Sequence, residues 1–151
     1  MDQMLEVPAD LTALPTPDVS GEWKPFWDAA AAGRLLIQNC PVCGRRQFYP
    51  RAICTACGAE PEWLEASGRG SLYTFSIVRQ NLVRPFKDML PYVLAMVDLE
   101  EGVRMLTNIV GCDLEEVKIG MPLEVTFVRA GEALHLPYWR PAAQISDSRE
   151  R

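Results

Sequence analysis

The sequence has one histidine in 151 residues and lacks several short motifs that mark enzymes. No Gly-x-Ser-x-Gly nucleophile turn, phosphate-binding glycine loop or His-Glu-x2-His metal motif occurs. The histidine, His135, lies between two leucines in a predicted strand, and Cys112 stands apart from the paired cysteines described below. General acid–base catalysis near neutral pH most often uses histidine. Since nothing in the sequence pairs His135 with Cys112 as base and nucleophile, we expect no catalytic residue in this chain.

Long apolar runs are also missing. The longest, such as residues 92–97, have the length of a strand, whereas a membrane helix needs ~20 residues. The N-terminus carries Asp2, Glu6 and Asp10 and has neither the basic nor the apolar region of a secretory signal. The composition, 48% apolar and 23% charged, is that of a globular protein. We therefore expect a soluble, cytoplasmic protein that has no membrane partner.

Acidic residues are absent from two stretches of a chain whose net charge is −5. The gaps run from Asp28 to Glu60 and from Glu65 to Asp88, and they hold eight of the fifteen basic residues. If the two stretches converge in space, they could form an anion site. Two alternatives remain open: the arginines solubilise surface loops, or they balance the negative charge of a metal cluster. The candidate anion-binding residues are Arg45, Arg46, Arg51, Arg79 and Arg84.

Four of the five cysteines form two Cys-x2-Cys pairs, Cys40 with Cys43 and Cys54 with Cys57, each followed directly by glycine. Two tight turns that bring four sulfurs to one point predict a tetrahedral metal site. The spacing fits zinc and iron equally, and zinc is favoured because nothing else indicates electron transfer. Two disulfides are disfavoured in a reducing cytosol. Since a closed four-sulfur site leaves no position for water, we predict one structural zinc per chain.

A helix is predicted from Ser20 as its cap, with Gly33 as the stop. Its aromatic residues Trp23, Phe26 and Trp27 fall near one face at helical spacing. They either cover the core of this chain or dock on a partner protein, and the pattern leaves both open. The residues before the helix contain three prolines and no apolar period, so we expect an arm outside the core.

Alternating apolar residues predict five strands in the C-terminal half, at residues 72–78, 92–99, 103–110, 123–128 and 134–139. A short helical turn capped by Asp113 is expected between the third and the fourth strand. This order is that of an OB-type barrel. Pro137 and Pro141 predict an edge position for the last strand.

The predicted fold class is mainly β, with an N-terminal helix and a rubredoxin-like zinc ribbon followed by a five-stranded OB-fold barrel. The predicted segments are an extended arm at 1–19, the helix and a lead-in strand at 20–37, the zinc ribbon at 38–66, the barrel at 67–141 and a frayed tail at 142–151.

The ordered motifs from Trp23 to Pro141 resemble those of a known family, the zinc-ribbon plus OB-fold proteins long catalogued as domain of unknown function 35. The matching pieces are Phe26-Trp27, Gly33-x-Leu35, Gln38-x-Cys40-x2-Cys43-Gly44, Pro50-Arg51-x2-Cys54-x2-Cys57, Gly68-x-Gly70, Pro91-Tyr92, Gly120 and Pro137-x2-Arg140-Pro141. Tyr49 and Thr55 depart from the family, which often has proline at both positions.

The resemblance implies a non-catalytic subunit of a thiolase-fold enzyme that acts on acyl-CoA thioesters, such as a thiolase, an aldolase or an acyltransferase. The partner would supply the reactive cysteine and histidines, and a benzoylsuccinyl-CoA thiolase is one setting. On this basis the five candidate arginines are expected to hold coenzyme A phosphates, and the three helix aromatics to face the partner. The alternative is a nucleic-acid-binding module, which the acidic net charge disfavours.

Overall fold

The computed structural model describes residues 3–8 and 11–143, so the predicted tail lies almost wholly outside the described residues. Within these ranges the chain forms one α-helix and ten strands. In chain order they are β1 (Met4–Leu5), α1 (Lys24–Ala31), β2 (Leu36–Asn39), β3 (Arg46–Gln47), β4 (Glu62–Glu65), β5 (Arg69–Val78), β6 (Tyr92–Leu99), β7 (Arg104–Ile109), β8 (Cys112–Asp113), β9 (Pro122–Arg129) and β10 (His135–Pro141).

Five strands close into a barrel in the order β10-β7-β6-β5-β9, with β9 pairing β10. All pairs are antiparallel except β7 with β10. A 3-10 turn, Leu114–Glu116, lies between β7 and β9, and the Asp113 backbone N–H donates to the Glu116 carboxylate at its start (2.7 Å). These features confirm the mainly β fold and the five-stranded OB-fold barrel.

The edge position predicted for the last strand is wrong, because β10 pairs on both sides. Pro137 is tolerated there since the parallel pairing with β7 occurs further along, at Trp139, whose carbonyl accepts the Val110 N–H (2.9 Å). The Pro137 carbonyl instead accepts a hydrogen bond from the Thr107 hydroxyl (2.9 Å). The missing proline N–H therefore leaves the closing ladder intact.

The barrel is filled by the alternate apolar residues of its strands. Along β6, Val93, Ala95, Val97 and Leu99 are all buried, as period-two alternation requires. Gly70 on β5 permits a close approach to β6, because a Cβ at this position would lie 2.4 Å from the Asp98 carbonyl oxygen. A side chain at residue 70 would therefore push the two strands apart.

The zinc ribbon is a three-stranded sheet in the order β3-β2-β4, and α1 packs between β2 and β10. Pro25 occupies the first turn of α1, where its missing N–H does no harm. Ser20 precedes the helical segment, as predicted, but it does not cap α1 with its side chain, because its hydroxyl donates to the Asp18 carboxylate. A 3-10 turn, Gly21–Trp23, leads into the helix instead, and Gly33 ends it with a φ of +77°.

The N-terminal arm is part of the core, contrary to the expectation from its prolines. Leu5 and Leu11 are both buried, β1 pairs with β8, and the Leu11 N–H donates to the Arg129 carbonyl (2.9 Å). A two-residue strand has no periodicity that a sequence pattern could reveal. In residues 3–8 and 11–143, no helix combines the length and hydrophobicity needed to cross a membrane.

Candidate metal centre and arginine groove

The structure brings the sulfurs of Cys40, Cys43, Cys54 and Cys57 together, all within 4.8 Å of one another. The Cys40 and Cys57 sulfurs are 3.5 Å apart, and the Cys43 and Cys54 sulfurs are 3.6 Å apart. A tetrahedral zinc with Zn–S bonds of ~2.3 Å places its sulfurs roughly 3.8 Å apart. The four thiols therefore match one four-coordinate zinc.

The two turns that carry the cysteines share one backbone design. The Gly44 N–H donates to the Cys40 carbonyl (2.9 Å), and the Gly58 N–H donates to the Cys54 carbonyl (3.0 Å). Both glycines have positive φ angles, +76° and +78°, which residues other than glycine rarely adopt. The glycine after each pair is therefore what allows the chain to turn tightly around the metal position.

Electrostatics within the cluster favour a bound cation. The Ala56 backbone N–H donates to the Cys54 sulfur (3.4 Å) and helps to lower the pKa of that thiol to about 6. The Ala59 backbone N–H favours the Cys57 thiolate, yet the neighbouring sulfurs, led by Cys40, raise the pKa of Cys57 to about 11. Because four thiolates this close repel one another, a divalent cation is needed to ionise them all. The donor set fits Zn²⁺, and Zn²⁺ binding is supported by these residues.

Two buried glutamines support the metal loop, and the sequence analysis missed their role. The Gln38 side-chain oxygen accepts the Arg51 N–H and the Gln47 amide (both 2.8 Å), while its own amide donates to the Arg51 carbonyl (2.9 Å). Gln47 in turn accepts the Thr55 N–H (3.0 Å) and donates to the Ile53 carbonyl (3.2 Å). The network fastens the second cysteine turn to β2 and β3. The available signal was Gln38, which directly follows the apolar residues Leu35, Leu36 and Ile37.

Three of the five candidate arginines share one groove. Arg45, Arg46 and Arg51 line a depression of about 340 Å³ between the metal loop and the β6–β7 hairpin. The Arg46 guanidinium donates to the Glu101 carbonyl in that hairpin (3.4 Å). No hydrogen bond or ion pair engages the Arg45 side chain within the described residues, so its guanidinium is available to a ligand.

Arg79 and Arg84 do not join this groove. They follow Val78, which pairs with Tyr92, whereas the hairpin beside the groove follows Leu99, which pairs with Gly70. Eight residues of strand separate the two ends, roughly 26 Å at ~3.3 Å per residue. The expectation that all five arginines share one anion site is therefore wrong for Arg79 and Arg84, because β5 carries them away from the groove.

Arg104 lines the arginine groove as well, and the sequence analysis did not select it. Its guanidinium donates twice to the Asp98 carboxylate (2.6 and 3.2 Å) and lies over the Tyr73 ring, 3.3 Å from the centroid. Asp98 and Arg104 occupy facing positions of β6 and β7, and this pairing can be recognised only when the strand register is known. Since Asp98 already neutralises it, Arg104 adds little free charge to the groove.

The helix aromatics divide between core and surface. Phe26 is 1% exposed and Trp27 is buried, with their ring centroids 4.9 Å apart. Of the two alternatives, the core role holds for both, and contact of this face with a partner stays a prediction. Trp23 is half-buried, stacks on Trp27 and lines a shallow apolar groove of about 250 Å³. Trp23 is therefore the most exposed of the three, and Phe26 and Trp27 also line this groove.

Cys112 and His135 form no catalytic pair in the described part of the chain. Cys112 is buried, and burial, together with the charges of Glu116 and Asp113, raises the pKa of its thiol to about 11. The His135 Nδ1 atom is buried and has no hydrogen-bond partner within the described residues. A thiol that stays protonated at neutral pH is a poor nucleophile.

Together, the fold and the four-sulfur centre define a zinc-ribbon protein with an OB-fold barrel. Residues 27–62 match the sequence model of a family described as "ChsH2, rubredoxin-like zinc ribbon domain". Residues 63–128 match that of "ChsH2, C-terminal OB-fold domain". A DUF35 domain-containing scaffold protein of Methanocaldococcus jannaschii is 40% identical over 100 residues, 65% of this chain and 70% of that protein. The chain belongs to this DUF35 scaffold family.

Other relatives carry names that refer to coenzyme A thioesters. A probable enoyl-CoA hydratase alpha subunit of Thermomonospora curvata is 38% identical over 125 residues, 82% of this chain but 39% of that protein. The benzoylsuccinyl-CoA thiolase subunit BbsA of Geobacter metallireducens is 35% identical over 91 residues, 54% of this chain and 57% of the subunit. A solved structure named "Ltp2-ChsH2(DUF35) aldolase" superposes with a TM-score of 0.76 at 33% identity, covering 85% of this chain and 100% of that chain.

Proposed function

We propose that this chain is a non-catalytic, zinc-binding scaffold subunit of a cytoplasmic enzyme whose thiolase-fold partner acts on acyl-CoA thioesters. The observation that carries the proposal is the likeness to the Ltp2-ChsH2 aldolase chain, which extends over the whole of that chain. The similarity to subunit BbsA supports the same context.

The metal centre supports a scaffolding role. Four cysteines fill the coordination of one zinc, so the metal stabilises the ribbon and has no free position for a substrate. Cys112 and His135 provide no nucleophile with a neighbouring base. The reactive groups would therefore come from the partner, while this chain contributes binding surface and the positive charge of its arginines.

The arginine groove is the proposed contact for coenzyme A, whose diphosphate and 3′-phosphate carry negative charge. Arg45, Arg46 and Arg51 surround one depression on a loop that zinc makes rigid. Arginine meets phosphate oxygens with paired, charge-assisted hydrogen bonds. The two distant arginines, Arg79 and Arg84, are left out of this site.

Capture of the zinc-loaded chain from its native host, followed by mass analysis, tests the proposed assembly. Co-purification of a thiolase-sized subunit is the expected result, whereas RNA or DNA as the main companion would replace the proposal with nucleic-acid binding. A hydratase as the captured subunit is the second candidate, which the alpha-subunit relative favours. Its capture would keep the scaffold role and change the reaction.

The phosphate contact is tested separately in the reconstituted complex. Arg45→Gln, Arg46→Gln and Arg51→Gln are compared on a CoA thioester and on the same acyl group carried by pantetheine. Loss of a hydrogen bond to a charged group costs about 1.5–3 kcal/mol, so each change should raise KM for the CoA substrate alone. Arg84→Gln, at the far end of the barrel, is the matched control. Equal losses on both substrates would leave these arginines as counter-charges to the metal centre.

A further inference from the structure

An exposed aromatic ring, that of Tyr49, lies in the wall of the arginine groove. Tyr49 is 40% exposed, and its ring contacts the rings of Phe48 and Trp23, with centroids 4.7 and 6.0 Å away. These two neighbours restrict the ring, so little conformational freedom is lost when a ligand stacks on it. The groove therefore offers a flat apolar surface as well as positive charge.

The positive charge of the groove is largely unbalanced. Arg46 and Arg51 donate to the backbone carbonyls of Glu101 and Pro50 (3.4 and 3.2 Å), which leaves both guanidinium charges without a counter-ion. Among the described residues, no carboxylate forms an ion pair with Arg45, Arg46 or Arg51, and no acidic residue lines the groove. Three such guanidinium groups favour a ligand that carries more than one negative charge.

The face of the Tyr49 ring is not covered by an arginine of the groove. The guanidinium that lies over an aromatic ring in the described part of the chain is that of Arg104, and it covers Tyr73. An uncovered ring beside unbalanced arginines is the combination that nucleotides require, because the phosphates bind the guanidinium groups and the base stacks on the ring. A volume of about 340 Å³ is within the usual range of ~300–1,000 Å³ for ligand pockets.

We propose that the arginine groove binds the adenosine end of coenzyme A, with the adenine ring stacked on Tyr49 and the phosphates held by Arg45, Arg46 and Arg51. This inference rests on the proposed function, which supplies coenzyme A as the ligand. It adds the residue that distinguishes a nucleotide from a simple phosphate.

The test uses the full, zinc-loaded chain without its partner and follows the amide NMR signals during titration. One probe is adenosine 3′,5′-bisphosphate, which has the base and sugar of this end of coenzyme A, and the other is inorganic pyrophosphate, which has no base. The nucleotide should bind at least ~5-fold more tightly, the lower end of the range for base–aromatic stacking. It should also shift the signals of Phe48, Tyr49 and Arg51.

Variants separate the stacking contact from the charge. Tyr49→Leu should lower the affinity for the nucleotide at least ~5-fold and leave the affinity for pyrophosphate unchanged. Tyr49→Phe keeps the ring and should bind both probes like the unmodified chain. Arg45→Gln should weaken the binding of both probes, and the distant Arg84→Gln should weaken neither. One zinc per chain in every variant shows that the metal loop is folded.

Absence of nucleotide binding, equal affinity for the two probes, or an unchanged nucleotide affinity in Tyr49→Leu would each overturn the inference. Because the partner is absent from this titration, its result is separate from that of the capture experiment. A chain that captures a thiolase-sized subunit but fails the titration would keep the scaffold role and lose the adenine contact. A chain that passes the titration but captures no such subunit would keep the nucleotide site and lose the scaffold role.

Discussion

Replacing Gln38 by leucine should destabilise the metal loop, although Gln38 is not itself a metal ligand. The Gln38 side chain is 4% exposed and makes three hydrogen bonds of 2.8, 2.8 and 2.9 Å. Leucine keeps the volume but leaves the Arg51 N–H, the Arg51 carbonyl and the Gln47 amide without this partner. Each unpaired buried group costs about 1–3 kcal/mol. Partial access of water to Arg51 reduces the sum, so we expect a loss of about 2–4 kcal/mol.

The loss should appear in two assays of the zinc-loaded protein. Denaturant unfolding at a fixed free zinc concentration gives the change in the free energy of unfolding. Competition with a coloured chelator gives the rate of zinc release, which should rise because the second cysteine turn is no longer held to β2. Gln80→Leu, at an exposed position outside the network, is the matched control. A Gln38→Leu protein within ~0.5 kcal/mol of the control and with an unchanged release rate would refute the role assigned to the glutamines.

Three further predictions concern the metal, a buried thiol and the core. Elemental analysis should find one zinc per chain, and Cys40→Ser combined with Cys57→Ser should abolish it; retained zinc would contradict the four-thiolate site. Burial raises the pKa of Cys112 from 9.0 to about 11, so the folded state keeps a proton that the unfolded state loses, and stability should fall between pH 9 and 11. Cys112→Ala should flatten that part of the pH profile, and an equally steep profile would refute the assignment. Phe26→Ala should lower the free energy of unfolding by about 3–5 kcal/mol with zinc still bound, whereas unchanged stability with weaker partner binding would restore an interface role.

Local patterns were enough to predict the metal site and most strands. Cysteine spacing encodes the metal geometry within two short turns, and the alternation of Val93, Ala95 and Val97 encodes one face of a strand. The predicted β6, residues 92–99, has the same bounds in the structure. These features depend on residues that are close in sequence.

The features that the sequence analysis missed depend on strand register and on contacts between distant segments. Arg104 meets Tyr73 and Asp98 only through the register of β5, β6 and β7. Leu5 is buried because β1 adds to β8, about a hundred residues away in the chain. Pro137 led to the wrong prediction of an edge strand. A proline in the sequence shows which backbone N–H is missing, but not whether strand pairing requires a hydrogen bond from that N–H.

Phe26 and Trp27 illustrate a further limit of prediction from sequence. A large aromatic residue on a helix has the same spacing whether it meets its own barrel or another protein. The contact between α1 and β10 supports the core role of these two side chains, and it involves residues more than a hundred positions apart. Only the tertiary structure could separate the two alternatives.

Under the proposed function, this chain completes an acyl-CoA enzyme without performing the chemistry. Its most direct test is the turnover of a CoA thioester by the captured partner alone, by the zinc-loaded chain alone and by the two recombined. We expect no turnover by this chain, little by the partner, and full activity on recombination. Turnover by the isolated chain, or full activity of the partner without it, would refute the scaffold role.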